Sequence, residues 1–458
     1  MKSLKVYESQ PEVQDLIVDE ATIACVIPAY NEEDSIERTL ESLMGQTRPP
    51  NIVHVVVNNT SDDTAWIARN YEGVHEIEYH GQLRRMEVVV HDIGKNKDKK
   101  VGALNYGWEL SKEYDFILGV DGDTVLDKKC VEKLEAEMLS DTRIGGISAI
   151  YSFDRKDGDS AFEKFLIAGQ RQQFAGFELD NLLRNRNMAV LGGQCSLLRS
   201  EALVEVMKAN RQSTPWVTDS SVEDSLLSLQ IKSAGYMTKI SASARANVGA
   251  MTTMKSLYAQ QVKWTAGGIE LMRQNPFHPN LRLRWRENAA MVFNIATRVL
   301  FILLLAASIS IGAFVFHPIW LIPPVAAWLL NIRLTATMKE VSTADRVFSW
   351  SFVLAEVYML IRMTHFIASW YQSFSNMERD NWSAQANAES GKGSSGIIWP
   401  IAVVLIVGAI SYFSWTSMDV VVQSVILAIG WPILAVISAI LTLTMVVKLF
   451  RRQLGYKV

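Results

Sequence analysis

Tyr114-Asp115-Phe116-Ile117-Leu118-Gly119-Val120-Asp121-Gly122-Asp123-Thr124 decides how the rest of the chain is read. Phe116 to Val120 is an apolar run between turn residues, the pattern of a strand buried in a parallel sheet. Asp121 and Asp123, separated by one glycine, stand at its carboxyl end, where open α/β sheets bind ligands. A hard divalent cation takes oxygen ligands and shares them with substrate phosphates, so such a pair of carboxylates suits one. Asp-Gly-Asp is also ordinary turn composition, and alone it decides nothing.

Outward from this stretch, strand and helix patterns alternate. The sequence predicts strands over 22–27, 53–57, 86–90, 116–120 and 145–150. Helices are predicted from Asn31 to Met44, over 64–70, through 104–110, over 127–139 and within 161–187. Glu32, Glu33 and Asp34 suit the first turn of the first helix, and Gly45 stops it. This alternation predicts an α/β fold, a doubly wound and mostly parallel Rossmann-like sheet. No G-x-G-x-x-G follows the first strand, which argues against a dinucleotide site. Pro28-Ala29-Tyr30-Asn31-Glu32 stands there instead, an aromatic ring and hydrogen-bonding groups better suited to a base than to a pyrophosphate.

With 458 residues the chain exceeds one soluble core. Apolar residues make up 49%, and the excess follows residue 288. A net charge of -3 carries no nucleic-acid signature. Cys25, Cys130 and Cys195 are scattered, which speaks for a reducing compartment and against a disulfide framework. The expected plan is a polar extension over 1–20, a catalytic domain over 21–265, an interfacial connection over 266–287 and a membrane domain over 288–458.

Arg282, Arg284 and Arg286 precede the first apolar stretch. Four spans are expected, over 289–314, 317–333, 397–415 and 420–449. The segment 347–374 is apolar but holds Glu356, Arg362 and His365, so it is expected to lie at the interface. A fifth crossing would also put Arg451 and Arg452 outside, against the positive-inside bias. The polar loop 376–396 carries Trp382 and reads as a solvated linker.

Six short motifs, in order, resemble a known family. They are Ile27-Pro28-Ala29-Tyr30-Asn31-Glu32-Glu33, Lys100-Val101-Gly102-Ala103-Leu104-Asn105, Asp121-Gly122-Asp123, Gly192-Gly193-Gln194 with Arg199, Val222-Glu223-Asp224, and Gln260-Gln261-Val262-Lys263-Trp264. The chain is similar to the family 2 inverting glycosyltransferases of GT-A fold. The branch is the membrane-bound one that holds hyaluronan, poly-N-acetylglucosamine and cellulose synthases.

The resemblance implies a cytosolic GT-A domain followed by a transmembrane bundle in the cell membrane. It implies that Pro28, Tyr30 and Glu32, with Asn58 and Asn59, hold a nucleobase. Lys100 would sit by the diphosphate, Asp121 by the ribose or sugar, and Asp123, with Asp121, would hold Mg²⁺ or Mn²⁺. Asp224 would be the general base, with Glu223 its neighbouring candidate. Gln260, Lys263 and Trp264 would close the site, and Trp264, Gly193 and Gln194 would meet the acceptor. Processive relatives have a gating-loop tryptophan at a place comparable to Trp382. The chemistry agrees. A leaving diphosphate needs neutralised charge, and an attacking hydroxyl needs one base when configuration inverts.

Two departures from the family pattern stand out. Asn58-Asn59 replaces a paired aspartate, which bears on uracil as the base. Lys263 replaces an arginine, which keeps the charge and loses the bidentate fork. Gln170, Arg171 and Gln173 are further acceptor candidates, whereas 213–216 reads as an exposed loop.

The expected activity is transfer of a sugar from a nucleotide sugar, a UDP-sugar first, to a glycan, lipid-linked or surface acceptor. Nucleic acid is not expected as a partner. The absence of helices before the catalytic domain favours limited addition over a processive synthase. A retired nucleotide-sugar-binding scaffold and a nucleotidyltransferase are the readings from other classes.

Overall fold

A computed structural model describes residues 21–79, 82–153, 160–218, 222–375, 388 and 398–458. The 1–20 extension and Trp382 with most of its loop lie outside the described residues.

The catalytic part is a nine-stranded sheet in the order β3-β4-β2-β1-β5-β8-β7-β9-β6. Its strands are β1 (Ile23–Ala29), β2 (Ile52–Val57), β3 (Gly73–Tyr79), β4 (Gln82–Asp92), β5 (Phe116–Val120), β6 (Val125–Leu126), β7 (Ile144–Phe153), β8 (Cys195–Arg199) and β9 (Met237–Val248). Four neighbouring pairs are parallel and four antiparallel, so the sheet is mixed rather than mostly parallel. The parallel run β4-β2-β1-β5 is the predicted half. β8 then lies antiparallel to both β5 and β7. An apolar run such as Cys195–Arg199 shows that a strand is buried, not which way it points, so this reversal left no mark in the sequence.

Helices cover both faces. α1 (Ile36–Met44), α2 (Thr64–Arg69) and α4 (Cys130–Leu139) share one core with the sheet. α3 (Lys99–Ser111), α6 (Ser200–Asn210) and α7 (Glu223–Ser233) share the other. The sheet is therefore buried on both sides, which is why its central strands read as continuous apolar runs. Trp216 belongs to that second core at 3% exposure, not to an exposed loop. Asn105 fixes it there, accepting from its backbone N–H at 3.2 Å and donating to its carbonyl at 2.8 Å.

The long helix α5 (Ala161–Leu183) and α8 (Met254–Gln274) lie between the sheet and the C-terminal helices. Those are α9 (Arg282–Ser310), α10 (Ile322–Thr335), α11 (Thr343–Trp350), α12 (Phe352–Phe374), α13 (Ile398–Thr416) and α14 (Val420–Phe450). The expected connection over 266–287 is mostly helix. α8 continues to Gln274, a 3-10 turn at Pro279–Leu281 breaks the chain, and α9 starts at Arg282 rather than 289. The 347–374 segment is likewise two helices, split at Ser351, whose hydroxyl caps α12 by accepting from the Leu354 N–H.

Among the described residues three helices are long and apolar enough to cross a membrane: Pro279–Ser310, Phe352–Phe374 and Val420–Phe450. α10 has 14 residues, about 21 Å at 1.5 Å per residue. It is too short alone where a span was expected, and the 3-10 turn Pro318–Leu321 extends it. α9 and α14 pack where the Trp431 indole donates to Ser308 at 3.1 Å, and the Trp415 indole on α13 donates to Ser310 at 2.8 Å. α10 and α14 both end beside α5: Thr335 donates to Gln172 at 2.8 Å, and Arg451 donates to the Leu183 carbonyl. α12 stays against the catalytic part, with the Tyr358 hydroxyl on Gln173 at 3.2 Å and His365 edge-on to Tyr258.

Candidate active site

One cavity of about 1500 Å³ runs from the carboxyl ends of β1 and β5 to the C-terminal helices. The residues expected to bind the donor, the metal and the attacking hydroxyl line it except Gly193, which touches its wall through Asp224; of the further acceptor candidates only Gln173 lines it.

The nucleotide end is built by loops that hold one another. Asn31 and Asn59 take positive φ, 53° and 56°, a conformation asparagine tolerates. The Asn31 carboxamide accepts from the Ser61 N–H at 2.9 Å, and the Glu32 N–H donates to Thr64 at 2.7 Å. Tyr30 is left 46% exposed on the cavity wall, available to stack. Asn58 and Asn59 face the loop before α3. Asn58 donates to the Lys99 carbonyl at 2.7 Å, and Asn59 pairs with the Asn96 backbone at 2.8 and 3.0 Å. These amides clasp the loop that carries Lys100, and both also line the cavity where the base contact is expected of them.

The Asp121-Gly122-Asp123 turn is pinned by Thr39 of α1, whose hydroxyl donates to the Gly122 carbonyl at 2.8 Å. Asp121 forms an ion pair with Lys100 at 2.6 Å. Burial alone would push the Lys100 ammonium down, but Asp121, Asp224 and Glu223 together outweigh it and hold the charge. Asp123 follows on the cavity wall, where Thr124 donates to one of its oxygens at 3.3 Å. Among the described residues no three His, Cys, Asp or Glu side chains gather as a metal cage. One or two carboxylates facing a phosphate-sized space is the donor set that suits Mg²⁺ or Mn²⁺, which keep most of their shell for water and phosphate.

Asp224 lies at the start of α7, and the Gly193 N–H donates to its Oδ2 at 2.9 Å. Burial pushes its carboxyl up first, Glu223 and Asp121 add to that, and Lys100 opposes, leaving it at about 7. Lys263 of α8 is pushed down to about 7 by burial, with Glu223, Asp121 and Asp224 pulling the other way. A carboxylate poised near neutrality suits a general base. A Cβ at Gly193 would stand 2.8 Å from the Asp224 Oδ2 and 3.0 Å from the Lys100 Nζ, so any larger residue there would displace these two charged groups.

Gln260, Lys263 and Trp264 share one face of α8, as i, i+3 and i+4 dictate. The Gln260 Oε1 is buried in the cavity wall with no hydrogen-bond partner among the described residues, an acceptor waiting for a donor. Trp264 meets Phe174 edge-on at 5.9 Å. The acceptor candidates on α5 separate. Gln173 lines the cavity, whereas Gln170 is fully buried against Leu166 and Met251, and Arg171 is ion-paired with Asp345 at 3.1 Å. Arg199 lies away from the cavity, donating to the Ile144 and Met138 carbonyls.

Tyr151 was not foreseen. Its hydroxyl accepts from the Cys195 N–H at 3.2 Å and bonds the Gly192 carbonyl, shaping the loop that presents Gly193. Tyr358 and Arg362 of α12 also line the cavity, and only their polarity within an apolar helix hinted at it.

Comparison with known proteins agrees with this geometry. Glycosyl transferase family 2 matches residues 24–207, and glycosyl transferase family group 2 matches residues 116–360. The poly-beta-1,6-N-acetyl-D-glucosamine synthase of Staphylococcus aureus strain MSSA476 is 24% identical over 269 residues, covering 57% of this chain and 58% of that protein. The synthase of the same description from Staphylococcus epidermidis is 22% identical over 268 residues, with the same coverage. The chain thus spans somewhat over half the length of these curated relatives. Among solved structures, mannosyltransferase PcManGT from Pyrobaculum calidifontis in complex with GDP-Man and Mn²⁺ superposes with a TM-score of 0.46 at 16% identity, over 79% of this chain and 89% of that one. With a family match across more than half of its length, the chain belongs to glycosyl transferase family group 2, and it is a glycosyltransferase with a GT-A-like domain followed by apolar helices.

Proposed function

We propose that this chain moves a sugar, with inversion, from a nucleotide sugar to an acceptor hydroxyl at a membrane surface. The donor is a UDP-sugar and the acceptor a glycan or lipid-linked glycan. The observation that carries the reading is the part-buried cluster of Asp224, Lys100, Asp121 and Lys263, in which burial first and then its charged neighbours leave Asp224 at about 7.

Tyr30 stacks on the base and Glu32 takes a polar edge of it. Lys100 and Lys263 lie along the diphosphate, where they offset the charge that develops as it leaves. Asp123, with Asp121 beside it, would hold a divalent cation, which when bound adds Lewis-acid neutralisation of the diphosphate. Asp121 is shared with Lys100, and Asp123 is the principal ligand that the resemblance implies. Asp224 accepts the proton of the attacking hydroxyl, and the Gly193 N–H fixes which carboxylate oxygen faces it. Glu223 is 4% exposed, and its charge keeps Asp224 basic.

The bundle reading is that α9 crosses the bilayer outward, α10 with its 3-10 turn returns, and α13 and α14 repeat the pair. α12 lies at the interface under the catalytic domain, on the cytosolic face. Both returning helices ending beside α5 support this, as does α12 holding to α5 and α8. A second reading, synthesis of a polymer, is favoured by one observation: the cavity continues past Trp264 between the C-terminal helices.

The test is release of UDP by purified protein with metal and acceptor. Asp224→Asn lowers kcat by about 10²–10⁴-fold, the usual range for a general base, while UDP still binds. Asp123→Ala abolishes the metal-dependent release. Full turnover in a folded Asp224→Asn variant would refute the assignment, and product length separates single addition from polymer.

A further inference from the structure

The far half of the cavity has a charge pattern that glycosyl transfer to a neutral sugar does not need. The C-terminal helices and the residues just after them contribute five cations to its lining, Arg284, Arg333, Arg362, Lys448 and Arg451, against one carboxylate, Glu287. Lys448 is paired with Asp180 at 2.6 Å, and Glu287 is taken by Arg184 at 3.2 Å. Four arginines remain, and none has a carboxylate within 4.0 Å among the described residues. Arg284 donates to the Ser225 hydroxyl at 3.2 Å, Arg333 to the Arg451 carbonyl at 2.5 Å, and Arg451 to the Leu183 carbonyl. Neutral oxygens satisfy hydrogen bonds but do not cancel charge. Several guanidinium groups sharing a partly desolvated cavity are costly unless an anion joins them.

We infer that this half of the cavity receives the phosphoryl group of an amphiphilic acceptor, whose hydroxyl then lies at Asp224. Guanidinium forks match phosphate oxygens in pairs, which a neutral glycan cannot offer. Arg284 reaches Ser225, the residue after Asp224, so the cationic wall begins beside the base. Arg284 lies in the first turn of α9, Arg333 in the last turn of α10, Arg362 within α12 and Arg451 just after α14. α9 and α14 are long and apolar enough to cross a membrane, which places the phosphate at headgroup depth with its lipid tail among them. This deepens the glycosyl-transfer reading and rests on it.

The experiment is equilibrium binding of dodecyl phosphate, inorganic phosphate and a neutral N-acetylglucosamine oligomer to the full chain in maltoside detergent, with UDP binding measured in the same preparation. Dodecyl phosphate should bind at least tenfold tighter than inorganic phosphate. Arg362→Gln and, independently, Arg333→Gln should each weaken it about tenfold, and Arg362→Lys should restore part of the loss. Equal binding of inorganic phosphate would mean a site for a free anion and would overturn the acceptor assignment. Binding of the neutral oligomer alone, indifferent to both substitutions, would overturn it too. UDP binding without dodecyl phosphate binding would remove this inference and leave the donor site standing. Loss of UDP binding by the wild type would remove both.

Discussion

At the scale of single residues, the site works by placing charges where burial raises their influence. Asp224 has to be ionised to accept a proton, so kcat/KM should fall as pH drops through about 7. Lys100 opposes proton uptake by Asp224, so Lys100→Met should move the midpoint of that acid limb to higher pH. A pH–rate profile of the residual activity measures this, and an unmoved limb would mean that Asp224 is not the group titrating. That these residues line one cavity was legible in the sequence, because each sits next to a turn or a helix start that a strand end requires. The sequence did not show that Asn58 and Asn59 grip the neighbouring loop, because a side chain that grips a loop and one that grips a ligand have the same amide. Arg171 was misread for a similar reason: its partner Asp345 is 174 positions away in the chain, beyond the reach of any local pattern.

At the scale of elements, the catalytic helix α7 is set by what packs against it. Gly267 of α8 faces Val222, the residue before Glu223, and a Cβ there would stand 2.0 Å from the Val222 Cγ1. A methyl group has no room, so Gly267→Ala must push α8 away from α7. We expect kcat to fall by about a hundredfold, the scale associated with an ångström of misplacement, with the fold retained by circular dichroism. Unchanged kcat would show that the α7–α8 spacing is not set there. Strands β1, β2 and β5 were readable because burial on both faces leaves only apolar residues. β9 was not, since Ser241, Ser243 and Arg245 interrupt it. The break at Ser351 was missed because a serine within an apolar helix and a serine capping one look alike until the backbone turns.

At the scale of the whole molecule, the catalytic domain and the C-terminal helices are joined by buried polar contacts as well as by apolar packing. Arg171 and Asp345, 7% and 1% exposed at their side chains, tie α5 to α11. Asp345→Asn keeps the hydrogen-bonding shape and leaves the Arg171 charge uncompensated, which should cost about 3–5 kcal/mol and lower the melting temperature. An unchanged melting temperature would show that the two parts are held by other contacts. That an apolar part follows residue 288 was legible from composition, but that one cavity runs from the sheet into the C-terminal helices was not, because its walls come from helices far apart in sequence. We propose that this cavity is a nucleotide-sugar site with Asp224 as its base. The direct measurement is metal-dependent release of nucleoside diphosphate by the purified chain across UDP-, GDP- and TDP-sugars, beside Asp123→Ala and Asp224→Asn. Release from a UDP-sugar by the wild type alone, with UDP still bound by Asp224→Asn, is the predicted result; no release and no nucleotide binding, or undiminished turnover in either variant, would contradict it.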